Sequence, residues 1–197
     1  MKIVVSNYVT LDGVMQAPGH PDEDRRGGFE HGGWAAPYND DVMMQAAQEG
    51  MAKSESFLFG RLTYEKMQAA WSGQLDDNPF ANVLNNRRKH VASRTLSEPL
   101  DWRGSTLLEG DAADAVAELK PQAGKDMVIL GSGDLIQSLM ARDLIDEFVL
   151  LIHPLVLGQG RRLFPDGGPS GAFRLTKSTA TTTGVVIVTY ERMEEDK

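Results

Sequence analysis

Hydrophobic residues follow two patterns along the chain, one typical of β-strands and one typical of α-helices. Apolar and β-branched residues form short runs bounded mostly by turn-forming residues, which is typical of β-strands. Between the early runs, apolar residues recur at helical spacing, and these segments are predicted to be α-helices. The predicted strands lie near 2–9, 56–60, 89–93, 105–108, 127–131, 147–154, 172–179 and 185–193, and the predicted helices near 39–53, 63–71, 79–86, 111–120 and 134–141.

The order of these elements predicts an α/β fold. Strands and helices alternate through the first two-thirds of the chain, so crossover connections and a mostly parallel sheet are expected. In the last third, "FRLTKSTATTTGVVIVTYERM" contains two extended runs with Gly184 near the turn and no helix between them. We therefore predict a single domain over 1–197, with a mostly parallel central sheet of about eight strands, flanking helices and a C-terminal antiparallel hairpin at the sheet edge.

One long irregular stretch, residues 17–36, interrupts this alternation. It is rich in glycine, proline and charge. A loop of this length in a compact domain is usually a lid, an interface or a disordered segment, and the sequence leaves these alternatives open.

Composition and charge narrow the classes of partner. The 197 residues are 41% hydrophobic and 24% charged, which is typical of a soluble globular protein, and no apolar run approaches the ~18 residues of a membrane span. The formal net charge of -8 disfavours a nucleic-acid partner, whose phosphates require clustered Lys and Arg. The absence of cysteine excludes disulfides and thiolate chemistry. The start "MKIVVSNYV" fits a first strand better than a signal peptide, so a cytoplasmic location is expected.

The stretch "VILGSGDLIQSLM" ends a predicted strand at Gly131-Ser132-Gly133 and turns at once into a predicted helix. This arrangement leaves free backbone N–H groups at a helix N-terminus, and such groups attract phosphate. The alternative is a tight turn in which Ser132 or Asp134 caps the helix, which is the commoner meaning of this motif on its own. The motif alone therefore does not indicate a phosphate-binding turn, and other strand ends with phosphate-binding residues are needed to support it.

Two more predicted strands end in residues that suit phosphate. In "FLFGRLTYEKM", Gly60 allows close approach, Arg61 brings a guanidinium and Thr63 brings a hydroxyl. Thr63 and Glu65 also fit a capping box, and the Ser93–Thr95 segment of "KHVASRTL" also fits a solvated loop. Ligands of open α/β sheets bind along the carboxyl ends of the strands. Three such ends together indicate a dinucleotide that carries phosphates.

Five motifs extend this pattern over nearly the whole chain: "VTLDGVM", "LFGRLTYE", "VASRTL", "ILGSGDLIQSLM" and "DLIDEFVLLIHPLVLGQGRRLF", of which the last is the most specific. In these motifs the chain resembles the dihydrofolate-reductase-like fold. Within that fold it is similar to the C-terminal reductase domain of the bifunctional riboflavin-biosynthesis deaminase-reductases.

The resemblance implies NADPH as the cofactor and gives each strand end a role. The second strand would end at the phosphates, the third at the 2'-phosphate, and the glycine turn would hold the pyrophosphate and approach the nicotinamide. The cofactor-binding residues implied in this way are Gly60, Arg61 and Thr63 (phosphates), Ser93 and Arg94 (2'-phosphate), and Gly131, Ser132 and Gly133 (pyrophosphate), with Asp134 and Leu135 beside them.

The acidic residues depart from the family pattern. Dihydrofolate reductases carry a carboxylate in the first helix, where spacing here gives Met43 and Met44. The riboflavin-pathway reductases carry an acid before the glycine pair, where this chain has Leu130. The proton donor is therefore predicted to be Asp12 of "TLDG", Asp41 at the start of the first helix, or water. Asp12 equally fits an Asx-type turn, and Asp41 fits a helix N-terminal position.

The predicted substrate contacts are Thr10, Trp34 and Met44. Trp34 follows two glycines and suits either stacking on a planar heterocycle or plugging the long loop. The four histidines show no metal-ligand spacing, so no metal is expected.

These observations predict an NADPH-dependent reductase that transfers hydride to a planar nitrogen heterocycle, either a pyrimidine precursor of riboflavin or a pterin-like ring. The alternative is an NADP(H)-binding sensor or scaffold without turnover, because non-acidic residues occupy the expected acid positions. The resemblance also favours a homodimer, formed through the apolar segment 147–157 or through the terminal hairpin.

Overall fold

The computed structural model describes residues 1–74, 78–122 and 124–193. Each predicted strand and helix is present, and the observed ends differ from the predicted ones by at most two residues. None of the helices in these ranges has the length and apolar character needed to cross a membrane. The strands are β1 (Ile3–Thr10), β2 (Ser54–Gly60), β3 (Arg88–Ala92), β4 (Ser105–Leu108), β5 (Asp126–Leu130), β6 (Glu147–His153), β7 (Phe173–Ala180) and β8 (Val186–Arg192), and the α-helices are α1 (Asp41–Lys53), α2 (Arg61–Trp71), α3 (Pro79–Asn86), α4 (Ala112–Leu119) and α5 (Gly133–Met140).

All eight strands join one sheet in the order β4-β3-β2-β5-β1-β6-β8-β7. The six strands from β4 to β6 are parallel, whereas β8 is antiparallel to both β6 and the edge strand β7. The predicted fold class is therefore confirmed, including the antiparallel hairpin at the edge. The order also makes β3, β2 and β5 neighbours, so their carboxyl ends lie side by side.

Helices cover both faces of the sheet, as a parallel sheet requires. On β1, the alternate residues Ile3, Val5 and Val9 are buried in the core that includes α4 and α5. Val4, between them, belongs to the core on the opposite face, which includes Tyr64 of α2 and residues of α3. Along the chain, α2 begins at the residue after β2, and α5 follows β5 after the two-residue turn 131–132.

The 17–36 loop is folded around a small core of its own, which favours an ordered lid or interface over disorder. Gln16 is 4% exposed, and its amide nitrogen donates to the backbone carbonyls of Asp24 (3.1 Å) and Arg26 (2.9 Å). These bonds pin the middle of the loop to the residue that precedes it. The buried apolar residues of the loop core are Val14, Ala17, Phe29, Trp34 and Ala35.

Candidate functional site

A cleft of about 1890 Å³ opens at the carboxyl ends of the parallel strands and continues over one face of the sheet between α1 and α2. Ser6 and Tyr8 of β1 line its floor, and burial raises the pKa of the Tyr8 phenol, which stays protonated at neutral pH. All ten predicted cofactor residues line this one cleft: Gly60, Arg61, Thr63, Ser93, Arg94, Gly131, Ser132, Gly133, Asp134 and Leu135.

The turn between β5 and α5 is seated tightly against the start of α2. Gly131 and Ser132 both have left-handed backbones, with φ angles of +62° and +63°. A Cβ atom on Gly131 would lie 3.3 Å from the Thr63 side chain, so a larger residue would push the turn away. The Ser132 hydroxyl accepts the N–H of Gly60 at 2.9 Å. The ends of β2 and β5 are thereby held together.

Two helices begin at this cleft without a side-chain cap. The N-termini of α1, α3 and α4 are capped by the side chains of Asp40, Asn78 and Asp111, which accept backbone N–H bonds. No side chain among the described residues caps α2 or α5 in this way. The capping roles considered for Thr63 and Ser132 are therefore not adopted. The free N–H groups of two helix N-termini, with their positive dipole ends, remain available to an anion.

The end of β3 adds a positive charge to the cleft. The Ser93 hydroxyl accepts the N–H groups of Thr95 (3.1 Å) and Leu96 (3.0 Å), which shapes the turn. Arg94 projects from this turn, is exposed, and forms no ion pair with any residue that the structure describes. At the start of α2, Arg61 is paired with Glu65 at 3.1 Å, but both side chains are 41% exposed, so the pair is weak. Both guanidinium groups can therefore engage a phosphate.

Asp12 lies outside the cleft lining and is occupied by other contacts. Its carboxylate accepts the Thr10 hydroxyl (2.6 Å) and the backbone N–H groups of Leu157 (3.2 Å) and Gly158 (2.9 Å). These hydrogen bonds, that of Thr10 first, lower the pKa of Asp12. Asp12 therefore stays ionised and fastens the segment after β6 to the segment after β1. This geometry favours the turn interpretation for Asp12 and a structural position for Thr10.

The Trp34 side chain is buried and contacts other residues of the protein. It is 7% exposed, its Nε1–H donates to the carbonyl of Gln16 at 2.7 Å, and its ring meets the His153 ring edge-on at a centroid distance of 5.0 Å. His153 is fully buried, and burial lowers its pKa, so the imidazole is neutral. The contacts of Trp34 favour the loop plug over a stacking platform. No cluster of three potential metal ligands occurs within the described ranges.

The cleft face of α1 carries one carboxylate, that of Glu49 near the end of the helix, and it is paired with Lys177 of β7 at 3.4 Å. Val42 and Gln45 line the cleft, whereas Asp41 and Met44 lie outside it, with Met44 56% exposed. Asp40, one residue before the helix, is the cap.

Several residues of the cleft were not singled out from the sequence. Asp24 and Arg26 of the long loop and Lys66 of α2 form a charged group in which Arg26 donates to Asp24 at 2.9 Å and Lys66 lies 3.8 Å away. The hydrogen bonds from Arg26 lower the pKa of Asp24 to about 2. Asn7 lines the cleft as well, and it did leave a signal: a polar residue interrupts the buried alternation of β1.

Known proteins match this chain over shares of its length that range from 30% to most of it. It matches the RibD C-terminal domain family over residues 1–187. The uncharacterized protein YyaP of Bacillus subtilis (strain 168) is 28% identical over 143 residues, which covers 69% of this chain and 73% of that protein. The uncharacterized protein YwjB of the same strain is 37% identical over 59 residues, 30% of this chain and 34% of that protein.

Two solved structures share the architecture. A candidate riboflavin biosynthesis protein from Shewanella sp. PV-4 has a TM-score of 0.72 at 25% identity, over 98% of this chain and all (100%) of that one. A pyrimidine reductase-like protein from Corynebacterium diphtheriae has a TM-score of 0.63 at 9% identity, over 98% of this chain and 92% of that one. At that low identity, the second likeness concerns the fold alone.

Proposed function

Because this chain belongs to the RibD C-terminal domain family, we propose that it is an NADPH-dependent reductase that acts on a planar nitrogen heterocycle. The observation that carries the proposal is the meeting of three neighbouring strand ends in one cleft, with all ten predicted cofactor residues in its lining. A single extended ligand with several phosphates would contact all three ends.

The residues present fit NADPH. The N-termini of α2 and α5 suit a pyrophosphate, since no side chain among the described residues caps their backbone N–H groups. Arg94, free of an ion pair among the described residues, suits the 2'-phosphate, and Arg61 and Thr63 suit the remaining phosphate oxygens. When bound, NADPH supplies the hydride. The chain itself binds, orients and shields it, with the folded 17–36 loop excluding water.

The proposed acceptor is a neutral ring, a pyrimidine precursor of riboflavin first and a pterin-like ring second. A protonated ring would call for an unpaired carboxylate. The cleft face of α1 offers Val42 and Gln45, and its one carboxylate, Glu49, is paired with Lys177. The name of the first structural relative, a riboflavin biosynthesis protein, also favours a pyrimidine precursor of riboflavin. Because Asp12 is ionised and engaged, water is the proposed proton source.

The alternative proposal is an NADP(H)-binding sensor or scaffold without turnover. It is favoured by one observation: Asp12 and Asp41, the predicted acids, lie outside the cleft lining. Both proposals require cofactor binding, and only the reductase requires oxidation of the cofactor.

The test is a calorimetric titration of the protein with NADPH and, in parallel, with NADH. We expect micromolar binding and a clear preference for NADPH. The complex is then mixed with a panel of aminopyrimidines, pterins and flavins while the absorbance of the reduced nicotinamide is followed. Oxidation by a pyrimidine would support the proposal, binding without oxidation by any acceptor would support the sensor, and no heat with either cofactor would contradict both.

A further inference from the structure

Asn7 is a polar residue on an otherwise apolar side of β1. Ile3, Val5 and Val9 alternate with it and are buried against the helices of that face. Asn7 itself is 4% exposed, yet it lines the cleft beside the turn that follows β5. Asparagine is seldom buried in this way unless both ends of its amide are hydrogen-bonded.

Only one end of this amide is satisfied. The Asn7 Oδ1 atom accepts the N–H of Gly131 at 2.7 Å, and this contact identifies which end of the amide is the oxygen. The Nδ2 atom is buried and has no acceptor among the residues that the structure describes. A buried donor without an acceptor is unfavourable and requires a specific explanation. An acceptor that arrives from outside the chain would provide one.

We infer that Asn7 donates this free hydrogen bond to the carboxamide oxygen of the nicotinamide ring. The inference rests on the proposed cofactor. Asn7 holds the first residue of the Gly131-Ser132-Gly133 turn, which is the part of the cleft assigned to the pyrophosphate and the ring beyond it. An amide oxygen is a neutral acceptor that matches a neutral donor without burying a charge.

The engaged Oδ1 gives Asn7 a directional preference. The Oδ1 atom accepts the N–H of Gly131, so the unpartnered end of Asn7 is the Nδ2 donor, which requires an acceptor on the ring substituent. Asn7 therefore recognises the carbonyl oxygen of the carboxamide. An acetylpyridine analogue of NADPH, which keeps the carbonyl, should retain the contact, and a thionicotinamide analogue, whose sulfur is a poor acceptor, should lose it.

The test variant is Asn7→Asp, which keeps the shape and the acceptor for Gly131 but replaces the donor with an oxygen. Binding is titrated with NADPH and with 2'-phospho-ADP-ribose, which lacks the nicotinamide ring. We expect NADPH binding to weaken by about tenfold or more, because one hydrogen bond is lost and the carboxylate repels the carbonyl oxygen, and 2'-phospho-ADP-ribose binding to stay unchanged. Asn39→Asp controls for the added charge alone, because Asn39 lines the same cleft but is exposed.

The outcomes separate this inference from the proposed function. If the unsubstituted protein binds neither ligand, the cofactor proposal fails and the inference falls with it. If it binds both but Asn7→Asp binds NADPH as well as the parent does, or weakens both ligands equally, the role of Asn7 is overturned while the cofactor proposal stands.

A second measurement needs no variant and covers the case in which Asn7→Asp does not fold. The unsubstituted protein is titrated with the acetylpyridine and thionicotinamide analogues of NADPH. Weaker binding of the thionicotinamide analogue alone supports the contact. Equal binding of both analogues overturns it.

Discussion

Arg94 provides the most direct test of the cofactor preference. It is exposed at the end of β3, lines the cleft and has no carboxylate partner within the described part of the chain. We expect Arg94→Ala to weaken NADPH binding by about 1.5–3 kcal/mol, the range for charge-assisted hydrogen bonds, and to leave NADH binding nearly unchanged. Calorimetry with both cofactors measures the difference.

Arg88→Ala is the control for Arg94→Ala, because Arg88 is an exposed arginine at the start of β3 that does not line the cleft. It should bind both cofactors as the parent protein does. Equal losses of NADPH and NADH in Arg94→Ala would show that Arg94 does not discriminate the 2'-phosphate.

Single residues differ in how far the sequence predicts their contacts. The cofactor residues could be placed at one edge of the sheet, because each lies at or soon after the end of a strand and parallel strands end at the same edge. Asp12 could not be resolved in the same way. Its backbone partners Leu157 and Gly158 lie 145 and 146 residues away along the chain, so only the folded structure brings them to its carboxylate. The contacts of Trp34 could not be resolved from the sequence either, since they depend on how the 17–36 loop folds.

The β5–α5 turn owes its shape to Gly131 and to its close contact with α2. Gly131→Ala would place a Cβ atom at a φ of +62° and within 3.3 Å of Thr63. We expect a loss of about 1–2 kcal/mol from the left-handed backbone alone, and a further loss because the turn must move away from α2. Urea unfolding measures the stability, and NADPH titration measures the effect on the cleft.

Gly110→Ala separates these two contributions to the effect of Gly131→Ala. Gly110 has a φ of +71°, but a Cβ atom there would meet nothing within 4 Å. It should therefore show the backbone cost without the contact cost. If the two variants lose the same stability and Gly131→Ala binds NADPH normally, the close approach between the turn and α2 contributes neither to stability nor to NADPH binding.

Helices and strands were predictable because their signals are local. Apolar residues at two- or four-residue spacing mark the buried faces, and the observed ends of the elements agree with the predicted ones. The position of β5 between β2 and β1 carries no such local signal, because it depends on which crossovers the helices allow. For the same reason the sequence predicted phosphate sites at three strand ends but could not show that those strands are neighbours.

The sheet order bears on how two copies of the chain could associate. The sequence left two routes to a homodimer, the segment 147–157 and the terminal hairpin. The first route is weakened, because β6 is paired on both sides, with β1 and with β8, and has no free edge. The hairpin lies at the edge of the sheet, and Leu175, Val186 and Met193 in or beside it are 38–50% exposed.

We propose that the protein forms a homodimer through this hairpin. Leu175→Glu would then bury a carboxylate without a partner in the interface, which should raise the dissociation constant of the dimer by roughly a hundredfold or more. Val156→Glu is the matched control, because Val156 belongs to the other candidate segment and is 70% exposed. Light scattering coupled to size-exclusion chromatography measures the mass of each protein. If Val156→Glu alone dissociates the dimer, the interface lies in the segment after β6 and not in the hairpin. If the parent protein is a monomer, the homodimer proposal is wrong.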